Sequence, residues 1–257
     1  METSEHNIDM KLFWQQIPSP VITEIFCSSS FDGVVLDLEH GHFNNETLYS
    51  CIQVGTLLNK TILARVSHLD KQVIRMCLDA NISGVILSTV ETFEQAKEFY
   101  DYCIYPFKNR IEEFNQDAQG VVRKSTVTET GGMRGQGLVR ENLWGIKPLK
   151  LRKPIIIPQI ETIKGVNNIE HISSINFDYY LVGPYDLSAS LGNVGDFESD
   201  EFKSSLDNLK KIVGNKMGFH IPSKIKNQIA NFKDYDFLAL GMDTTFIIEK
   251  IEETLSL

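Results

Sequence analysis

A chain of 257 residues, 42% of them hydrophobic, can bury a core that needs no covalent or metal staple. It matches the roughly 250 residues of one α/β barrel. A formal net charge of −9 repels a phosphate backbone and argues against nucleic-acid binding, and no apolar run reaches the roughly eighteen residues that would predict a membrane span.

Short apolar runs alternate with helical patterns along the chain. Strands are predicted at Lys11–Trp14, Gly33–Asp37 and Ile62–Val66. A helix over Asp70–Ala80 follows, with Asp70 as its cap and Val73, Ile74, Cys77 and Leu78 as one stripe. The strand Gly84–Ser88 and the helix Thr92–Tyr102 come next. The rhythm then breaks: Ile104 to Arg152 carries no clear strand, so an irregular insertion is predicted around 104–152, with a polar stretch at Asn115–Thr130. It resumes with strand Ile155–Glu161, helix Lys164–Ser173, strand Tyr179–Gly183, helix Glu201–Val213, strand Lys216–His220, helix Ser223–Asn231, strand Phe237–Gly241 and helix Thr244–Leu255. Several strands are continuously apolar, which indicates burial on both faces and a parallel sheet. Eight strands in β-then-α order predict an α/β fold with residues 1–257 as a single (β/α)8 TIM barrel. A glycine-rich dinucleotide fingerprint is absent, and no internal repeat is visible.

The polar N-terminus, Met1 to Met10, lacks signal-peptide features. Cys27, Cys51, Cys77 and Cys103 lie in or beside apolar segments without C-x-x-C spacing, and read as buried free thiols of a reducing cytoplasm.

Two acidic motifs end apolar runs: Gln159-Ile160-Glu161-Thr162 and Gly183-Pro184-Tyr185-Asp186-Leu187-Ser188. Side chains at the C-terminal strand ends of a parallel barrel converge on one mouth. Glu161 and Asp186 can therefore face one another there, and paired carboxylates favour a cation or a shared proton. Mg²⁺, Mn²⁺ or Co²⁺ would accept such oxygen ligands and keep positions open for a small oxyanion. Each acid could instead cap a helix.

His40, in Asp37-Leu38-Glu39-His40-Gly41-His42, is a candidate general base, with Asp37 or Glu39 fixing its tautomer. His40 and His42 as metal ligands, or as solvated loop residues, are the competing readings. Arg65 ends an apolar strand and suits a carboxylate or enolate oxygen, or else a buried structural ion pair. Arg134, among glycines, could clamp a second anion or belong to a surface loop. Tyr185 lines the mouth or packs. His6, His68, His171 and His220 read as surface or satisfied core residues.

Asp-x-Glu-His-Gly, Arg-Val-x-x-x-Asp, Gln-Ile-Glu-Thr and Gly-Pro-x-Asp-Leu-Ser, in that order, resemble the HpcH/HpaI aldolase family from about Trp14 to the end. The resemblance implies a metal-dependent class II aldolase that cleaves or forms a 4-hydroxy-2-oxo acid, giving pyruvate plus an aldehyde through a metal-stabilised enolate. It implies Glu161 and Asp186 as metal ligands and His40 as base with Asp37 beside it. It implies Arg65 on the pyruvyl oxygens, Gln159 lining the site, and Ser188 with the backbone after Gly183 near the pyruvate carboxylate. It also implies a homo-oligomer, a hexamer built from dimers or a smaller trimer or dimer. The chain departs from the family at Ser88-Thr89, where a proline is usual, at Asn81, where a glycine is usual, and at the insertion. An acyl-CoA carbon–carbon lyase, an oxaloacetate decarboxylase and a non-catalytic barrel subunit are the other readings.

Overall fold

The computed structural model describes residues 10–114, 153–223 and 235–256. Eight strands form a closed parallel barrel in sequential order: β1 (Met10–Gln15), β2 (Gly33–Asp37), β3 (Thr61–Val66), β4 (Gly84–Leu87), β5 (Ile155–Ile160), β6 (Tyr180–Val182), β7 (Met217–Ile221) and β8 (Phe237–Met242). Pairing of β1 with β8 closes the ring. All eight predicted strands are present, within a residue or two of their expected ends, which places the chain in the predicted α/β class.

Helices cover the outside: α1 (Pro20–Cys27), α2 (Asn45–Leu57), α3 (Lys71–Asp79), α4 (Phe93–Phe114), α5 (Ile163–Asn167), α6 (Ile169–Ser173), α7 (Pro184–Ser190), α8 (Asp200–Val213) and α9 (Asp243–Leu255). Asp70 caps α3 as predicted, its carboxylate accepting from the N–H groups of Gln72 and Val73. Three helices were not legible. α2 begins at an Asn44 cap, α7 at the Gly183-Pro184 step, and α1 at Pro20. The single helix expected over Lys164–Ser173 is instead two short ones, α5 and α6. They part at Asn168, whose side-chain amide donates to the Glu91 carbonyl at 2.8 Å. The insertion expected from Ile104 begins as helix, because α4 continues to Phe114. The rest of the insertion and nearly all of the helix predicted at Ser223–Asn231 lie outside the described residues.

The core has two layers. Inside the barrel, Leu12, Trp14, Val35, Leu63, Ile86 and Ile157 meet with Leu181, Phe237 and Ala239. Between strands and helices lies a larger cluster that includes the four free cysteines. Among the described residues no helix is long and apolar enough to cross a membrane. At the junction of β8 and β1, buried Asp243 accepts from the N–H groups of Gln16, Ile17 and Thr244 at 2.8–3.1 Å. It thereby ties the last strand end to the first.

Candidate active site

The two-residue period of a strand converts the inner apolar layer into a polar rim. Two positions beyond each inner apolar residue, on the same face, comes a polar one: Asp37 after Val35, Arg65 after Leu63, Ser88 after Ile86 and Gln159 after Ile157. All four are buried, at the C-terminal ends of neighbouring strands.

Asp37 and Arg65 stand opposite each other in the β2–β3 register. Arg65 Nε donates to Asp37 Oδ1 at 2.9 Å and Nη2 to Oδ2 at 2.7 Å, a bidentate pair. Its Nη1 reaches Glu39 Oε2 at 2.9 Å. Trp14 Nε1 and Gln16 Nε2 each donate to Asp37 Oδ2 at 3.1 Å. Burial alone would push the Asp37 carboxyl up, but the hydrogen bonds and charge of Arg65, helped by Gln16 and Trp14, hold it below its ordinary value. Asp37 thus fixes the arginine. Toward His40, which the resemblance implied it would orient, it accepts from the backbone N–H of His40 at 3.2 Å and from that of Glu39 at 3.1 Å. His40 and His42 are both exposed, in the turn after β2.

Glu161 directly follows β5 and is 4% exposed. Its Oε1 accepts from the Thr89 backbone N–H at 2.8 Å and from Thr89 Oγ1 at 2.7 Å, and its Oε2 from Gln159 Nε2 at 2.5 Å. It does not cap α5; Thr162 does, accepting from the Gly165 N–H. Burial pushes the Glu161 carboxyl up to about 7; the Thr89 hydrogen bond and Arg65 oppose this, while the like charges of Asp186 and Glu39 add to it.

Gly183, the residue before α7, packs against this acid. A Cβ there would lie 2.4 Å from Glu161 Oε2 and 2.8 Å from Gln159 Nε2, so only glycine allows the approach. Pro184 then starts α7 and places Asp186 on its exposed first turn. Ser188 is buried, and its hydroxyl is spent within the chain, donating to the Tyr185 carbonyl at 2.7 Å and accepting from the Gly195 N–H at 2.9 Å. Tyr185 is half-exposed, edge-on to Phe197, and with Pro184 lines a cavity of about 470 Å³ beside the end of β7. Arg134 lies outside the described residues.

The donor set fits a hard divalent cation. Glu161 lies close enough to Asp186 and Glu39 to feel both charges, and Gln159 Oε1 is buried with no hydrogen-bond partner. Neighbouring carboxylates and an unpartnered amide oxygen suit an ion that takes one or two carboxylates and completes its shell with water and substrate. Among the described residues no group of three or more His, Cys, Asp or Glu side chains is arranged around one point, so an ion here would take most of its shell from water and substrate.

The sequence reading gave Trp14 and Ser88 no role in the site, took His220 as a surface or satisfied core residue, and weighed Glu39 only as a partner of His40. The His220 ring stacks on Trp14 with centroids 4.2 Å apart, and the Arg65 guanidinium carbon lies 4.9 Å over the same ring. Burial and Arg65 drive His220 down to about 3, against the pull of Asp37 and a bond to the Gly241 backbone, so it is neutral. Its position at a strand end, two residues after Gly218 on the inner face, was the available signal.

Known proteins resemble this chain along nearly its whole length. A family model described as HpcH/HpaI aldolase/citrate lyase matches residues 11–248. A 4-hydroxy-2-oxovalerate aldolase of Novosphingobium aromaticivorans is 29% identical, over 90% of this chain and 83% of its own. A hydroxypyruvate/pyruvate aldolase of Deinococcus radiodurans is 25% identical, over 91% and 80%. The crystal structure of an HpcH/HpaI aldolase from Desulfitobacterium hafniense superposes with a TM-score of 0.76 at 17% identity, covering 98% of this chain and 93% of that one. The chain is therefore an enzyme, a carbon–carbon lyase belonging to the HpcH/HpaI aldolase/citrate lyase family.

Proposed function

We propose that this enzyme is a divalent-metal-dependent class II aldolase acting on a 4-hydroxy-2-oxo acid, with pyruvate and an aldehyde as its products or, in reverse, its substrates. The observation that carries this reading is the pairing at one rim of a buried carboxylate, Glu161, held by Thr89 and Gln159 within reach of the Asp186 charge, with a buried arginine braced by two carboxylates. Glu161 and Asp186 would hold Mg²⁺, Mn²⁺ or Co²⁺. Such an ion supplies Lewis acidity toward the oxygens of a 2-oxo acid.

The chain's own residues do the rest. Arg65 spends Nε and one N–H of each terminal nitrogen on Asp37 and Glu39, which leaves an N–H on each terminal nitrogen for a substrate oxygen. Because Asp37 and Trp14 fix the guanidinium, its charge is in place before reaction and needs no reorganisation. In the cleavage direction a proton leaves the C4 hydroxyl, the C3–C4 bond breaks, and its electron pair spreads to the 2-oxo oxygen. Arg65 opposes that charge, and C3 then takes a proton to become the methyl group of pyruvate. His40, exposed at the mouth, is the proposed proton carrier. Gln159 lines the site, and Gly183, Pro184 and Tyr185 shape its edge. The relatives' names, with their pyruvate-type substrates, support the same reading.

We further propose one barrel domain, acting as a homo-oligomer in the cytoplasm. The last helix supports the assembly: of α9 only Asp243 is buried, while Ile247, Ile248, Ile251 and Leu255 are 46%, 56%, 52% and 82% exposed. The four buried free thiols suit a reducing compartment.

Pyruvate release, followed with lactate dehydrogenase, tests the activity across 4-hydroxy-2-oxovalerate and 2-keto-3-deoxy sugar acids. Turnover that requires Mg²⁺ or Mn²⁺ and stops with EDTA is expected. Equal rates with and without the chelator would rule out the metal-dependent class.

A further inference from the structure

The rim segment just past β4 is strained. Thr89 is exposed and has φ +53°, a left-handed conformation that a β-branched residue adopts at a cost. Such strain persists only where the surroundings impose it. Here both donors of Thr89, its N–H and its hydroxyl, point at one oxygen of Glu161, at 2.8 and 2.7 Å. The preceding residue, Ser88, is buried and donates from Oγ to Glu39 Oε1 at 3.0 Å. The other oxygen of Glu39 takes Arg65 Nη1 at 2.9 Å. Successive side chains of an extended strand face opposite sides, so an ordinary β continuation could not turn both hydroxyls toward the same rim. The left-handed turn at Thr89 does so. Two hydroxyl-bearing residues therefore sit where the carboxylate half of the site meets the arginine half.

We propose that Thr89 is a positioning residue for Glu161, as Ser88 is for Glu39, so that one strained turn holds the cation site and the arginine in register. Thr89 saturates Oε1 and Gln159 takes one side of Oε2, which fixes the carboxylate plane and leaves the free lone pair of Oε2 for the ion. Residues that orient a metal ligand in this way contribute about 10–100-fold in affinity. The proposal rests on the metal-aldolase reading above.

Mn²⁺ titration by calorimetry, paired with thermal unfolding of the same metal-free samples, tests it. Thr89→Val keeps the N–H and the branched Cβ but lacks the hydroxyl, and is expected to weaken Mn²⁺ binding about 10–100-fold. Thr89→Ser keeps the hydroxyl and should bind within a few-fold of the parent. Thr89→Gly releases the strain, so it should weaken Mn²⁺ binding while its unfolding midpoint holds or rises. Ser88→Ala, which loosens Glu39 only, should bind Mn²⁺ within a few-fold of the parent. Parental Mn²⁺ affinity in Thr89→Val, or joint loss of affinity and stability in Thr89→Gly, would overturn the proposal. An equal loss in Ser88→Ala would overturn the division of labour between the two hydroxyls. A parent protein that binds no Mn²⁺ would remove the metal reading and this proposal together, whereas a parent that binds with Thr89→Val unchanged removes this one alone.

Discussion

Arg65→Ala is expected to lower the unfolding free energy by about 3–5 kcal/mol at neutral pH and to abolish turnover. The loss arises mainly from what remains behind. Asp37 is fully buried, and its carboxyl is held below its ordinary value because Arg65, Gln16 and Trp14 together outweigh the effect of burial. Without the guanidinium, burial wins and the carboxyl must either hold an uncompensated charge or take up a proton. The sign with pH follows. In the parent, Asp37 has a lowered pKa, so its contribution is present above the ordinary carboxylate range and is lost as pH falls through the folded value. In Arg65→Ala that carboxyl moves up, so the penalty is largest at neutral pH and shrinks in acid as Asp37 protonates. Urea unfolding at pH 7.5 and pH 5 measures both effects. Arg65→Lys should also fail, because an ammonium cannot make the paired bonds to both Asp37 oxygens together with the one to Glu39. A destabilisation of Arg65→Ala below about 1 kcal/mol would mean that the pair is as weak as an exposed one.

The second large effect concerns Glu161. Its carboxyl sits near 7 in the folded chain against an ordinary 4.5, so the metal-free fold binds a proton more tightly than the unfolded chain. Stability of metal-free protein is therefore full below 4.5, declines as pH rises toward about 7, and is flat beyond it as far as this group is concerned. The two limits differ by about 3 kcal/mol. A bound divalent cation replaces the proton as the compensating charge, so Mn²⁺ should stabilise strongly at pH 8 and little at pH 5, with proton release on binding between those limits. Glu161→Gln should flatten the slope and remove the response to Mn²⁺. Thermal scans at four pH values, with EDTA and with Mn²⁺, provide the comparison. His220, held neutral by burial, gives the opposite slope over this range, so the comparison is parent against Glu161→Gln. A metal-free pH dependence that is the same in both proteins would contradict the Glu161 assignment.

The strands were legible because most are buried on both faces, and unbroken apolar runs such as Ile155-Ile156-Ile157 leave little room for another reading. Glu161 and Arg65 were legible for a related reason, since a charge at the end of such a run has little solvent to reach. Asp186, which is exposed, stood out only by its Gly-Pro motif. Partnership was less legible. Asp37 and His40 lie three apart in sequence, which suggested a contact, whereas the β2–β3 register sets Asp37 against Arg65. Trp14 and His220 meet only because the barrel closes, and nothing in either segment announces the other. Ser88-Thr89 stood out as a departure from the family pattern, but its role depends on a backbone angle that composition does not encode. The helices after β5 were merged because the apolar spacing continues across Asn168, where the chain bonds back to Glu91.

The central claim is that these residues make and protonate a carbanion equivalent of pyruvate with a divalent ion. Loss of the pyruvate methyl signal in D₂O, followed by NMR with Mg²⁺ or Mn²⁺ and again with EDTA, addresses it without reference to the aldehyde. The account predicts exchange that requires the metal and disappears in Arg65→Ala and Glu161→Gln. Folded protein that binds the ion yet leaves the methyl protons in place would contradict it.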